Sequence, residues 1–348
     1  MKTIKTNIIV TLLLFVTVTV AQGQRLTMPE PSQDASITQR LGISDVTITY
    51  NSPGARGRKV FGGMIPYKAV WRAGANENTT ISFSHDAIVE GQNIKAGTYG
   101  LYMVPGKEQF QILFSKFSKS WGSVLPTESE IVLKVSVSPK KIPFQEWLGF
   151  NFTDRSAKQL IAVLEWADVQ VPFKIEFNTS QIIIENSIAE LKGQAGFSGA
   201  GHMQLSAYCL QNNTHLDEAL IWIEQSIARN KSFSNLRVKA DLLSKKGQAT
   251  AAKKLMEEAF SLGSGGELNS FGYSLLNDNN TEEAIKVFSF NIKKNANDIL
   301  IWMYIDSLGE AYLKSGNKKM ALKYYKKAKE KAPKSQYVYL DGVISGIK

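Results

Sequence analysis

The feature that most constrains the fold is a change in hydrophobic period near residue 180. Between residues 45 and 178, apolar side chains alternate with polar ones in short runs, which is the pattern of half-buried β-strands. Beyond residue 180 the apolar period becomes that of amphipathic helices. Runs of strands followed by runs of helices indicate either an α+β fold or separate domains. We predict a multidomain chain, with an all-β part followed by an all-α part.

The first part of the chain predicts an antiparallel β-sandwich over residues 45–178, and a barrel is the alternative. The alternating runs are separated by Gly, Pro, Asn and Asp, and no long helical pattern lies between them. One face of each run would supply the core between two sheets. Examples of these runs are Val46–Tyr50, Ile81–Phe83, Phe110–Phe114, Ile131–Val137, Leu160–Trp166 and Val169–Phe177.

The second part of the chain repeats itself. Residues 179–200 predict a connecting helix, in SQIIIENSIAELKG, and then a glycine-rich hinge, in GQAGFSGAG. After this hinge an alanine recurs at intervals of 33, 32 and 37 residues. Such a period predicts stacked helix hairpins, about four helix pairs over residues 201–348. The recurring alanines are Ala219, Ala252, Ala284 and Ala321.

The last of these units, IDSLGEAYLKSGNKKMALKYYKKAKEKAP, resembles the tetratricopeptide repeat. Leu308, Gly309 and Tyr312 stand at first-helix positions of that repeat, and Ala321 and Pro333 stand at second-helix and terminal positions. The resemblance implies an extended groove, lined by first helices, that binds another protein or a peptide. The residues predicted to line the groove are Asn269, Tyr273, Asp306, Glu310 and Leu313.

The N-terminus has the features of a secretory signal peptide. Lys2 and Lys5 precede an apolar run, and small residues follow that run around Ala21. We expect residues 1–21 to be removed on export and residues 22–44 to form an N-terminal extension; the alternative is an uncleaved anchor. No later segment reaches the roughly 20 apolar residues of a membrane-spanning helix, so none is expected after signal cleavage.

Cysteine content and charge bear on location and partners. The chain has one cysteine, Cys209, and therefore no intramolecular disulfide, which for an exported protein favours a bacterial periplasm or envelope. The formal net charge is +10, and lysines are concentrated in the last repeat. Exported proteins rarely meet nucleic acid. We therefore interpret these lysines as a solvated helix face and predict no nucleic-acid partner.

A glycine-rich and cationic segment, GRKVFGGMIPYKAVWRAGANENTT, raises the question of a phosphate-binding loop. Gly57 and Gly62 have the separation of the two glycines in a P-loop. However, Gly63 and Met64 stand where that motif needs Lys and then Ser or Thr. The dinucleotide-binding pattern also fails, because no βαβ unit follows. A nucleotide loop of either kind is excluded.

The same segment closely resembles the signature of the domain of unknown function 2911 family, which is common in envelope proteins of the Bacteroidetes. The resemblance continues through KAGTYGLYMVPGKEQFQILFSK and covers roughly residues 30–178. At Lys68 the family often has glycine, so the turn at this point of the chain is a departure from the family. The resemblance implies no established reaction.

The segment has two interpretations. In the structural one, glycines permit tight turns, Trp71 fills one end of the sandwich, and Arg72 donates to loop carbonyls. In the functional one, cationic side chains converge on an anion or sugar acid while aromatic rings stack on a sugar. The candidate ligand-binding residues are Arg58, Lys59, Trp71, Arg72, Asn76, Glu77, Tyr99 and Trp121.

Patterns that predict catalysis are missing from the sequence. The three histidines are isolated, so we predict no metal site. We also predict no cofactor and no catalytic residue, and the alternative is a pair of carboxylates formed by Glu77, Asp86 or Glu90 with another acid across the sheet, as in glycosidases. The leading hypothesis is a non-enzymatic protein of the envelope, periplasmic or secreted, that acts as a protein–protein interaction scaffold. The alternative is a small-ligand protein for carbohydrate or an anion, or a hydrolase, with its site at the glycine- and arginine-rich loop.

Overall fold

The computed structural model describes residues 28–347, and the chain divides between Phe177 and Asn178 into two compact units. The predicted signal peptide, residues 1–21, lies outside the described residues. Within residues 28–347 the first unit contains ten β-strands and the second unit ten α-helices. The predicted fold class, an all-β domain followed by an all-α domain, is confirmed.

The β-domain is built from two antiparallel sheets. The six-stranded sheet consists, in spatial order, of β1 (Gln33–Leu41), β2 (Ser44–Ser52), β3 (Thr80–Phe83), β6 (Gly97–Val104), β7 (Phe110–Ser115) and β8 (Ile131–Val137). The four-stranded sheet consists of β5 (Gln92–Ile94), β4 (Ala87–Val89), β10 (Gln159–Glu176) and β9 (Lys140–Thr153).

Aromatic side chains from the two sheets meet in the core between them. The rings of Phe114 on β7 and Phe173 on β10 have centroids 6.4 Å apart. The rings of Tyr50 on β2 and Phe150 on β9 have centroids 4.9 Å apart. These contacts join one face of each sheet, which is the arrangement of a sandwich.

Parts of the sheets lie where the sequence pattern did not indicate strands. The predicted N-terminal extension, residues 22–44, contains β1, an edge strand that pairs with β2. Its more buried face carries Ala35, Ile37 and Leu41, and Gln39 interrupts this apolar alternation. β9 carries Pro143 and Gly149, which normally interrupt strands.

β10 is one 18-residue strand where the sequence pattern predicts two. The pairing of β10 with β9 shifts register on both sides of Ala167, whose backbone has a φ of 52°. This bulge adds a residue to the strand and reverses the apolar alternation. The two predicted runs therefore belong to a single strand.

The α-domain is a row of helix pairs. A connecting helix, α1 (Thr179–Glu190), precedes the pairs, and a last helix, α10 (Tyr337–Ile347), follows them. Among the described residues no helix is long and apolar enough to cross a membrane. The pairs are α2 (Ala200–Gln211) with α3 (Leu216–Arg229), α4 (Phe233–Lys245) with α5 (Ala249–Leu262), α6 (Gly265–Asn277) with α7 (Thr281–Lys294), and α8 (Ile301–Lys314) with α9 (Lys318–Lys331).

Small residues bring the two helices of each pair together. The four recurring alanines are all buried, on the second helix of each pair. On the first helices the facing position is Gly272 in α6 and Gly309 in α8, and each packs against an aromatic ring of the second helix. A larger side chain at these contacts would push the helices apart.

We expect Gly272→Ala to destabilise the α-domain more than Gly309→Ala does. A Cβ at Gly272 would lie 2.4 Å from the Phe288 ring, but a Cβ at Gly309 would lie 3.2 Å from the Tyr325 ring. Overpacking should lower the free energy of unfolding by about 2 kcal/mol at Gly272. At Gly309, the matched control, better helix propensity should hold the loss below about 1 kcal/mol. Urea titration of the full chain, followed by far-UV circular dichroism, measures both; equal losses would contradict the prediction.

Candidate functional site

The first helices carry the same pair of positions from repeat to repeat. The reference point is the small residue through which a first helix packs on its second helix, such as Gly272 in α6 and Gly309 in α8. One residue of the pair lies three positions before this small residue, and the other lies one position after it. Because four residues are slightly more than one helical turn, the two side chains share a face of the helix. The pairs are Arg237 and Asp241 on α4, Asn269 and Tyr273 on α6, and Asp306 and Glu310 on α8.

Side chains from three helices meet at the C-terminal end of this row. The hydroxyl of Tyr273 donates to Oε2 of Glu310 over 2.8 Å, which joins α6 to α8. The hydroxyl of Tyr339, on α10, lies 3.5 Å from Oδ2 of Asp306, to which it donates. Together with Asn269, one turn before Tyr273, these residues form what we call the groove cluster.

The groove cluster has hydrogen-bond acceptors without donors. Oδ1 of Asn269 and Oδ1 of Asp306 are buried and have no hydrogen-bond partner in the described part of the chain. Burial, and then the nearby Glu310 carboxylate, raises the pKa of Asp306 to about 6. Within residues 28–347 neither Asp306 nor Glu310 forms an ion pair with Lys or Arg. Such a cluster suits a cation or an N–H donor supplied by a partner.

The equivalent pair on α4 is already neutralised. Nη1 of Arg237 donates to Oδ2 of Asp241 over 3.1 Å, and the Arg237 guanidinium also lies over the Phe271 ring. Burial raises the pKa of Asp241, while the charge of Arg237 opposes that rise. The surplus of acceptors is therefore a feature of α6 and α8.

Four of the five residues predicted to line the groove are brought together in the groove cluster. The fifth, Leu313, packs against the apolar core formed with α9 and α10, around Tyr325 and Leu340. Tyr339 was not predicted, because α10 lies beyond the last recognisable repeat. Its contact with Asp306 depends on how α10 packs, which no local motif encodes.

A second candidate site lies in the β-domain, at the loop between β2 and β3. Backbone hydrogen bonds of 2.8 Å run in both directions between Trp71 and Met103, and the amide of Ala55 donates to the carbonyl of Glu146 over 2.8 Å. The Trp71 ring stacks on Trp166 with centroids 5.8 Å apart. Trp71 is thus a buried anchor that ties the loop to the sandwich.

An open pocket of about 310 Å³ lies beside this anchor, and three arginines line it. Arg58 donates from Nε to the carbonyl of Ala55 and from Nη2 to that of Gly54, over 3.0 and 2.8 Å. Arg72 is half-buried, and its Nε is enclosed without a hydrogen-bond partner in the described residues. The burial lowers the pKa of Arg72. The loop carbonyls are thus bound by Arg58, and not by Arg72 as the structural interpretation predicts.

The third arginine of the pocket, Arg56, was not among the predicted residues. Its Nη2 donates to the carbonyl of Pro31 over 3.1 Å. Its backbone has a φ of 52°, in the left-handed region that usually selects glycine or asparagine. An arginine preceding Gly57 in a tight turn is the sequence signal that points to this residue.

The other predicted ligand residues lie outside the wall of the pocket. Lys59 is exposed, and the hydroxyl of Tyr99 donates to the carbonyl of Lys95 over 2.9 Å. Glu77 forms an isolated bridge with Trp121, whose side chain is 69% exposed. Asn76 donates to the N-terminal segment, at the carboxylate of Glu30 and the carbonyl of Ser32.

Comparison with known proteins bears on both domains. Residues 32–175 match the family described as protein of unknown function (DUF2911), and residues 306–335 match a tetratricopeptide repeat. These matches confirm the two resemblances found in the sequence. No curated protein matches the chain.

Several solved structures are similar to part of the chain. They include pilF of Pseudomonas aeruginosa, with 14% identity, 44% of this chain and 69% of that chain covered, and a TM-score of 0.28. They also include a thermophilic tetratricopeptide protein of Thermus thermophilus, with 18% identity, coverage of 49% and 90%, and a TM-score of 0.27. MamA of Desulfovibrio magneticus RS-1 has 16% identity, coverage of 44% and 84%, and a TM-score of 0.26.

We expect Asp306→Asn to stabilise the α-domain at pH 7.5 and to have less effect as the pH falls towards 4. The pKa of Asp306 is raised to about 6 in the folded chain, from an ordinary value of 3.8. A raised carboxyl pKa means that folding loses stability as the pH rises through this window. Because the carboxyl is partly exposed, we expect a gain of about 1 kcal/mol at pH 7.5.

Urea unfolding of the parent chain and of Asp306→Asn at both pH values measures this difference. Glu330→Gln, which changes an exposed carboxylate on α9, is the matched control and should show no such pH dependence. A loss of stability in Asp306→Asn at pH 7.5 would show that the carboxylate is stabilised in place. The groove cluster would then have no surplus of acceptors.

Proposed function

We propose that this chain is an exported scaffold protein whose repeat domain binds a basic segment of another protein at the groove cluster. The tetratricopeptide match supports protein or peptide binding as the general function of the repeats. The observation that carries the proposal is the pair of carboxylates, Asp306 and Glu310, that lie on one face of α8 without a cation of their own.

The charge of the groove cluster selects the chemistry of the partner. A buried carboxylate without a partner cation is costly, and a Lys or Arg side chain from the bound segment would offset that cost. An N–H of the same segment, donated to Oδ1 of Asn269, would satisfy the second orphan acceptor. A partner with an acidic segment would instead be repelled.

Export to the envelope is the second part of the proposal. The charged start, apolar run and small residues of positions 1–21 support it, as does the lack of a disulfide in a chain with one cysteine. The resemblance to Bacteroidetes envelope proteins favours a periplasmic or secreted location.

The β-domain carries a second candidate function, which is the binding of a small ligand, either carbohydrate or anion. The observation that favours it is the open pocket lined by Arg56, Arg58 and Arg72. Three guanidinium groups around one pocket favour recognition of an anion.

We expect the repeat domain to select basic peptides from a random peptide array probed with the full chain. Because Asp306 and Glu310 supply the charge, Asp306→Asn combined with Glu310→Gln should weaken binding of the selected peptides by about tenfold or more. Glu330→Gln is the control and should bind as the parent chain does. Fluorescence anisotropy with the best array peptide gives the dissociation constants.

Two outcomes would contradict this proposal. The first is an array that selects no peptides, or selects acidic ones. The second is selection of basic peptides whose affinity falls equally in the double variant and in Glu330→Gln. That result would mean that the overall charge of the chain, rather than the groove cluster, attracts them.

A further inference from the structure

The three arginines of the β-domain pocket form a cationic site without an anion supplied by the described chain. Arg56, Arg58 and Arg72 line the same cavity, and none of them forms an ion pair within residues 28–347. The nearby Glu146 carboxylate accepts from the backbone N–H of Arg56, over 2.7 Å, and does not form part of the pocket wall. Three like charges around one cavity repel each other, and a bound anion would convert that repulsion into attraction.

Two of the three arginines are held in place by the loop. The contacts from Arg58 to the carbonyls of Ala55 and Gly54 fix its guanidinium against the backbone. The contact from Arg56 to the carbonyl of Pro31, another residue of the pocket lining, holds the second guanidinium. Each guanidinium has five N–H donors, so both keep donors that can reach a ligand. Preorganised donors bind an anion without losing further side-chain entropy.

Arg72 is the most enclosed of the three. Its Nε is buried and lacks a partner in the described residues, and a buried donor without a partner carries a desolvation cost. The residue that follows, Ala73, is buried with a φ of 53°, a strained conformation for a residue with a Cβ. Strain of this kind is found where surrounding structure must hold a functional side chain in a fixed position.

We propose that this pocket binds the phosphate group of a small organic ligand, with Arg72 as the innermost donor and Arg56 and Arg58 completing the charge. The proposal rests on the second candidate function, small-ligand binding by the β-domain, and is independent of the groove cluster. Guanidinium groups bind phosphate oxygens in two-point contacts. A doubly charged phosphate also neutralises more of the charge of three arginines than a singly charged carboxylate does.

The size and the remaining walls of the pocket indicate an organic phosphate. A cavity of about 310 Å³ has the volume of about ten waters, which is more than a bare phosphate fills. Met64 and Ile65 form an apolar part of the wall. Carbon atoms of the ligand would pack there while its phosphate faces the arginines.

Isothermal titration calorimetry of the full chain at low salt tests the proposal with three probes: glycerol 3-phosphate, inorganic phosphate and glucuronate. We expect saturable binding of glycerol 3-phosphate, weaker binding of inorganic phosphate, and glucuronate weaker than glycerol 3-phosphate by about tenfold or more. Arg58→Gln and Arg72→Met should each weaken glycerol 3-phosphate by about tenfold. Arg155→Gln, an exposed arginine outside the pocket, is the matched control and should change nothing.

Arg72→Lys keeps the charge and removes the two-point contact, so it separates binding from folding. If Arg72→Met does not fold, Arg72→Lys and Arg58→Gln still decide the matter, and both should weaken the binding of glycerol 3-phosphate. No saturable binding of either phosphate, tighter binding of glucuronate, or inorganic phosphate bound as tightly as glycerol 3-phosphate would overturn the proposal. Equal weakening in Arg155→Gln would overturn it as well. Asp306→Asn should leave phosphate binding unchanged, so a failure here is distinct from a failure of the peptide proposal.

Discussion

The requirement that a buried polar group find a partner governs both candidate sites. Folding removes side-chain donors and acceptors from water, and each one left unpaired costs free energy. In the described part of the chain, five buried side-chain polar atoms lack a hydrogen-bond partner. Three of them belong to Arg72, Asn269 and Asp306, which lie in the two candidate sites. Partners that supply the missing contacts would recover part of that cost.

The two sites use opposite charges and are held by different kinds of contact. In the β-domain, the stacking of Trp71 on Trp166 fixes one end of a long loop, and left-handed residues then aim the arginines. In the α-domain, close contact at Gly272 fixes the spacing of α6 and α7, and close contact at Gly309 fixes the spacing of α8 and α9. The hydrogen bond from Tyr273 to Glu310 then joins α6 to α8.

The sequence predicted those parts of the fold that leave a periodic trace. The alternation of strands and the recurring alanines define both domains, and the alanines lie where the helices touch. The edge strand β1 and the bulge at Ala167 leave a weaker trace, because Gln39 interrupts the apolar face of β1 and the bulge reverses the alternation in β10. Lys68 is an intermediate case. Its φ of 66° explains why the related family often has glycine at this position.

For both candidate sites, the sequence indicates which residues share a helix face or a loop. It does not indicate which of these residues have donors or acceptors without a hydrogen-bond partner. Asn269, Tyr273, Asp306 and Glu310 follow from repeat spacing, so they could be chosen as a group. The sequence alone does not distinguish Arg58 from Arg72, because both are arginines of the same basic loop. What separates them is that Arg58 finds loop carbonyls and Arg72 does not, and that depends on backbone turns about Arg56 and Ala73.

The net charge of the chain does not predict the charge of the groove cluster, because many lysines donate to helix-end carbonyls or pair with carboxylates elsewhere. Lys294, at the end of α7, donates to the carbonyl of Phe260 in the last turn of α5, and Lys314, at the end of α8, donates to the carbonyl of Leu276 near the end of α6. Helix ends carry unsatisfied carbonyls and partial negative charge, so a lysine there both caps a helix and joins neighbouring repeats. Lys329 is paired with Asp341. A chain with a net charge of +10 can therefore present an acidic groove, because its cations are committed to helix ends and exposed faces while Asp306 and Glu310 have no cation of their own.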